Sequence, residues 1–306
     1  MNWQEVADAC SKHLPNVVRW AGAVAKRLRH FDIAVTGKTS GSANTDALTL
    51  ADLTLQELIV SALRDCDPIF RKCQLQAEES TGDLERFSTD SELTITIDPI
   101  DGTKQYRDKT GNGYAVMVLL RSPETVHYSL VYTPESRAQG TWMEANGDRV
   151  ICGPDDHSIP ATEVLASMSP IEKSGRTSSG RIYLIGFQDE DRARAEAVTN
   201  AGLQGYVSDD MPGSIYELQA RGEFAGSLIH SPNIYDFPAS LQLARAFGGD
   251  ALWVHNREPV NFHELWLDER ADMLRLPGIV ACSEFPEVLD TLCELARDWD
   301  PVRYRD

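Results

Sequence analysis

The stretch of this sequence best suited to chemistry is Asp98-Pro99-Ile100-Asp101-Gly102-Thr103, just past Leu93-Thr94-Ile95-Thr96-Ile97. The alternation and β-branched residues of that run predict a strand that delivers Asp98 to a turn. Two carboxylates three residues apart, with Pro and Gly bending the chain, can point at one spot. The Gly102 N–H and the Thr103 hydroxyl would face the same spot, a set suited to a hard cation and a phosphate bound to it. The plainer reading is ordinary turn punctuation, since Asp-Pro and Asp-Gly are common there.

Other carboxylates stand at element boundaries. Thr49-Leu50-Ala51-Asp52 fits a capping box opening a helix that carries Leu53, Leu55, Leu58, Ile59, Ala62 and Leu63. Asp52 therefore has work as a cap, which does not exclude a second role. Glu78-Glu79, twenty residues before Asp98, reads locally as solvated surface. Asp236 precedes a helix with Pro238 at its second position and reads as an N-cap, a place from which a carboxylate can also reach a metal.

The elements that must position these groups fall into two halves. Residues 3–28 carry Val6, Cys10, Leu14, Val17, Ala21, Val24 and Leu28 on one helical stripe despite Pro15, which is core. The small, polar run from Thr36 to Asp46 reads as a mobile loop. Strands over 114–120, 126–132 and 140–145, separated by turn residues, predict an antiparallel meander with the two helices laid on it. The loop-rich region 153–180 suggests a boundary near residue 160. Beyond it, strands over 181–186, 205–208, 224–229, 251–254 and 278–282 alternate with helices over 190–200, 213–220, 237–247 and 285–299. That predicts an α/β second half with helices on both faces of a sheet. The division is an α+β subdomain over 1–160 and an α/β subdomain over 161–306.

Charge narrows the partners. With 47 acidic against 29 basic residues in 306, the net charge of −18 repels nucleic acid polymers and anionic membranes. An acidic protein that handles a phosphate ester must reverse its local field, and bound divalent cations are the usual means. No basic leader and no long apolar run is present, so a cytoplasmic location is expected. The six cysteines lack Cys-x-x-Cys spacing and read as reduced thiols, and no His-x-x-x-His pair supports a zinc site.

Taken together, Thr49-x-x-Asp52, Glu78-Glu79, Asp98-Pro99-Ile100-Asp101-Gly102-Thr103 and Tyr235-Asp236 resemble the motif set of the inositol monophosphatase superfamily. These are magnesium-dependent, lithium-sensitive phosphatases that include fructose-bisphosphatases and 3'(2'),5'-bisphosphate nucleotidases. The resemblance runs from about Lys38 to Gly249. It implies a layered α-β-α-β-α sandwich and two or three Mg2+ per site. By the same resemblance Glu78 is a metal ligand, Asp98 bridges two cations, Ile100 adds its backbone oxygen, and Asp101 with Asp236 completes the second site. Thr103 and Asp52 match the pair that orients and deprotonates the attacking water. The phosphate would meet the N–H groups of Gly102 and Thr103. The loop around Lys38 would close over the site, and a homodimer is possible.

Lys104 after Thr103, Gln105-Tyr106 and Gly111-Asn112-Gly113-Tyr114-Ala115-Val116 resemble the bisphosphate nucleotidase branch more than the inositol branch, a resemblance that implies Lys104 and Ser214 among the substrate contacts. Ile229 stands where the inositol branch carries an acidic residue, and Ile215-Tyr216-Glu217 where a nucleotidase lysine is expected. The substrate expected is a small phosphorylated metabolite, first 3'-phosphoadenosine 5'-phosphate and second inositol monophosphate. Two other chemistries compete. An aspartyl-phosphate phosphatase needs one residue between its aspartates, whereas Pro99-Ile100 supplies two. A calcium-holding module without turnover would leave Thr103 and Asp52 without a job.

Overall fold

The computed structural model describes residues 1–31, 34–35 and 47–304. The loop expected around Lys38 lies outside the described residues.

The first half opens with helices α1 (Trp3–Leu28) and α2 (Leu50–Cys66). Asn2 caps α1 by accepting the Gln4 N–H at 3.0 Å, and Thr49 and Asp52 form the expected capping box on α2. Six strands follow: β1 (Gln74–Ala77), β2 (Thr94–Asp101), β3 (Ala115–Arg121), β4 (Val126–Thr133), β5 (Thr141–Asn146) and β6 (Arg149–Pro154), with the short helix α3 (Thr103–Asp108) between β2 and β3. They form one sheet in sequential order, antiparallel except for the parallel pair β1–β2.

The second half adds α4 (Ala161–Ser167), β7 (Arg181–Ile185), α5 (Asp191–Asn200), β8 (Gln204–Val207), α6 (Tyr216–Ala220), β9 (Gly226–His230), α7 (Phe237–Ala246), β10 (Asp250–Trp253), β11 (Trp266–Asp268), β12 (Met273–Arg275), β13 (Ile279–Ser283) and α8 (Pro286–Ala296). Its main sheet has the order β10-β13-β9-β7-β8, and β11 pairs with β12 apart from it.

Alternating apolar residues decide the layering. Ile95, Ile97, Val116, Val118 and Leu120 face α1 and α2, whereas Met117, Leu119, Val131 and Met143 face α6 and α7. The second sheet packs against α7 on one side and against α5 and α8 on the other. The order is helices, sheet, helices, sheet, helices, as expected. The middle layer is shared by both halves. α4, although past residue 160, packs into the first core through Ala161, Val164 and Leu165.

Several expectations are corrected. β2 does not stop at Ile97 but continues to Asp101. The first sheet is not wholly antiparallel, because β1 runs parallel to β2. β6, α3, α4 and the β11–β12 hairpin, all too short for a clear periodic signal, were not foreseen.

Candidate active site

The site is built on an irregularity in β2. Asp98 pairs with Met117 and Asp101 with Ala115, so three steps along β2 oppose two along β3. That extra residue is a β-bulge, and Pro99, which lacks an N–H, is tolerated there. In a regular strand, residues three apart point to opposite faces. The bulge reverses that parity and lets Asp98 and Asp101 share one side.

Gly102 then leaves the strand with φ +85, a conformation costly for a side-chain-bearing residue. A Cβ there would come within 3.0 Å of the Gly213 Cα. The two glycines thus let the start of α3 approach the 212–214 loop. Two hydrogen bonds hold the approach: Gly113 N–H to the Pro212 carbonyl and Ser214 N–H to the Gly113 carbonyl, each 2.9 Å. Ser214, expected as a substrate contact, thereby joins the cavity wall.

Asp236 arrives from the second half at the start of α7, held by Asn233, whose Oδ1 accepts the Tyr235 and Asp236 N–H groups at 2.8 and 3.0 Å. Oxygens of Asp98, Asp101 and Asp236 all lie within 4.8 Å of one another. Glu78 stands outside that triplet but lines the same cavity and hydrogen-bonds Asp98.

The three clustered aspartates resist ionisation. Burial, reinforced by Glu78, Asp101 and Asp236, holds Asp98 well above the usual carboxylate range. Burial, with Asp101 and Glu78, pushes Asp236 up to about 8. Burial also raises Asp101 to about 6, partly offset by the Ser214 hydroxyl. A cation relieves this crowding. Asp98 Oδ1 and Asp101 Oδ2 are buried without hydrogen-bond partners, so lone pairs remain for hard-oxygen coordination, and the set fits magnesium.

Beside the cluster stands the pair expected to handle water. Asp52 Oδ2 accepts the Thr49 N–H at 2.7 Å and the Thr49 hydroxyl at 2.6 Å. Its Oδ1 lies 3.2 Å from Thr103 Oγ1, which is also 2.7 Å from the Ile100 carbonyl oxygen. Asp52 therefore caps α2 and meets Thr103 at once. Burial, opposed by the Thr49 hydroxyl and reinforced by Glu78 and Glu79, raises it to about 7.

A sequence model of the inositol monophosphatase family matches residues 9–291. The chain belongs to the inositol monophosphatase family. It is a magnesium-dependent phosphoric monoester hydrolase. No curated protein matches the sequence. Among solved structures, an inositol monophosphatase from Anabaena (Nostoc) is 18% identical, with 99% of each chain covered and a TM-score of 0.63. CysQ from Bacteroides thetaiotaomicron, a bacterial member of the family, is 17% identical over 90% of this chain and 98% of its own, with a TM-score of 0.61. An IMPase/NADP phosphatase complexed with Mg2+ and phosphate is 14% identical over 96% and 97%, with a TM-score of 0.65. At such identities the likeness concerns the fold.

Of the expected site residues, Glu78, Asp98, Ile100, Asp101, Gly102, Thr103, Lys104, Ser214 and Asp236 line one cavity. Lys104 is engaged by an ion pair with Asp209. Glu79, read as solvated surface, is buried.

Two supporting residues escaped the sequence reading. Gln56 accepts the Glu79 N–H at 2.9 Å and donates to the Glu79 and Thr81 carbonyls at 2.5 and 2.8 Å, fixing the turn that presents Glu78. Its signal was a polar residue one turn after Asp52 on a buried face. Arg29 donates to the Gln105, Tyr106 and Gly111 carbonyls at 3.2, 3.0 and 2.5 Å and pairs with Glu135 at 2.6 Å. It bolts the end of α3, whose start carries Thr103.

Proposed function

We propose that this family member hydrolyses a small phosphorylated metabolite by attack of an activated water, with 3'-phosphoadenosine 5'-phosphate as first substrate. The observation that carries this reading is the Asp52–Thr103 contact beside the carboxylate cluster. Binding a cation alone needs no such pair.

Glu78, Asp98, the Ile100 carbonyl, Asp101 and Asp236 would hold two or three Mg2+. When bound, the cations neutralise phosphoryl charge and acidify water. The chain supplies the rest. Thr49 occupies one oxygen of Asp52 and leaves the other turned to Thr103, so a water on the Thr103 hydroxyl can pass its proton along that bond to Asp52. A carboxyl near 7 is well matched to accept it at neutral pH. Gly102 and Thr103 flank the position of the scissile phosphate. The division into a ligand-bearing half over 1–160 and a half contributing Asp236 and substrate contacts belongs to the same reading, as does a cytoplasmic location. Ile229, buried in the apolar core of the second half, offers no acceptor for an inositol hydroxyl and favours the nucleotide.

The test is phosphate release with magnesium, with and without chelator, from 3'-phosphoadenosine 5'-phosphate, inositol 1-phosphate and fructose 1,6-bisphosphate at equal concentration. Chelator-sensitive preference for the nucleotide is expected. Preference for inositol phosphate would overturn the substrate assignment.

A further inference from the structure

Two tyrosines in the wall of the carboxylate cavity have no part in the chemistry described so far. Tyr216 opens α6, just past Ser214, and Tyr183 lies in β7. In β7, Ile182 and Leu184 face the core shared with α5 and α8, so Tyr183, on the opposite parity, faces the middle layer. There both rings pack into one apolar cluster with Met211, Ile215 and Phe224.

The phenolic ends are not so well served. Tyr216 is only 4% exposed, yet neither hydroxyl has a hydrogen-bond partner among the described residues. Neither is among the fully enclosed polar atoms, so each reaches the open space of the cavity. Buried tyrosines ordinarily set the hydroxyl against a partner. A pair that leaves its donors unused in a cavity wall points to a ligand atom.

Their place along the cluster says which atom. Burial, then Asp236 and Asp101, raise the Tyr216 phenol well above its ordinary value, and burial, then Asp101 and Asp236, do the same for Tyr183. Both hydroxyls therefore lie at the Asp236 end. The carboxylates that crowd buried Asp52 are instead Glu78 and Glu79, and its free oxygen meets Thr103. Displacement at phosphorus runs in line, with the leaving oxygen opposite the attacking water. A phosphate attacked from the Asp52–Thr103 side releases its alcohol toward Tyr216 and Tyr183.

We propose that Tyr216, with Tyr183 beside it, donates a hydrogen bond to the leaving oxygen. This rests on the water-attack reading and deepens it. As the water oxygen bonds to phosphorus, the P–O bond to the leaving group breaks and its electron pair stays on that oxygen. The attacking water gives its proton to Asp52, which returns it to solvent, and the departing alkoxide takes one from solvent. Both phenols keep their protons and share them with the growing charge. An alkoxide needs such donors, whereas a nitrophenolate is already stable as an anion.

The experiment measures kcat/KM with magnesium for p-nitrophenyl phosphate and for the fastest of the three alkyl esters compared above, in the wild type, Tyr216→Phe and Tyr183→Phe. Phe keeps the ring packing, and an unchanged thermal midpoint checks that each chain is folded. Tyr216→Phe should lower the value for the alkyl ester by about tenfold or more, the scale of a hydrogen bond to a charged group, and for the aryl ester by less than about twofold. Equal loss on both esters, no loss on either, or a wild type inert to either class would overturn the assignment. Thr103→Val, run beside them, lowers both values alike if the water-attack reading holds. Its failure to do so, with the tyrosine contrast intact, would strike that reading and leave the leaving-group donors standing. If Tyr216→Phe does not fold, Tyr183→Phe decides by the same contrast.

Discussion

Asp52→Asn offers a direct measure of what assembling this site does to the fold. Burial, set against the Thr49 hydroxyl and joined by Glu78 and Glu79, raises the Asp52 carboxyl from 3.8 to about 7. A carboxyl raised in the folded state leaves stability intact below its unfolded value and removes it as pH climbs through the folded one. The rise is about three units at 1.36 kcal/mol each, so the metal-free wild type should lose roughly 4 kcal/mol on this account between pH 4 and pH 8. Asp52→Asn abolishes that loss and keeps an acceptor for Thr49, with a pH-independent offset of about 1 kcal/mol from the altered hydrogen bonds. The assay is denaturant unfolding of both proteins in chelator across that range, read as a difference curve. The difference matters because burial holds the His230 imidazole down at about 4. Its contribution runs the other way, present above 6.5 and lost as pH falls towards 4. Subtracting the two proteins cancels it. A difference that stays flat within about 1 kcal/mol would refute the buried, charge-crowded account of Asp52.

Other perturbations probe separate parts of the construction. Thr103→Val removes the hydroxyl between Ile100 and Asp52, and kcat for phosphate release should fall by about 10²- to 10⁴-fold with little change in thermal midpoint. Asp98→Asn and Asp101→Asn should each abolish turnover in a folded chain and diminish the magnesium-induced rise in midpoint seen by calorimetry; wild-type turnover in either would sink the ligand assignment. Arg29→Met leaves Glu135 and three carbonyls without their donor, and urea unfolding should show a loss of about 3 kcal/mol. Gly213→Ala places a Cβ 2.6 Å from Gly113 C and Tyr114 N at φ +143, so a loss of about 1–3 kcal/mol with reduced kcat is expected.

Much of the site was legible because its chemistry is carried by short local motifs. Asp98 to Thr103, the capping box of Asp52 and the helix start at Asp236 each announce themselves through residue type and near-neighbour spacing. The long helices α1, α2 and α8 and the buried strands could be read from periodicity, which reflects a core face and so survives as a pattern along the chain. What neighbours along the chain can do was therefore determined by the sequence alone, down to the capping box of Thr49 and Asp52.

The tertiary structure decided which of these groups meet, and on which side. Whether Asp98 and Asp101 face one cavity depends on a bulge that shows only in the register of β2 against β3. Gln56 against Glu79 and Arg29 beneath α3 join residues 23 and 77 positions apart. Local spacing is a property of the covalent chain. Contacts across such separations arise only when sheets and helices bury their apolar faces against one another, and that packing selects which distant polar groups are brought together.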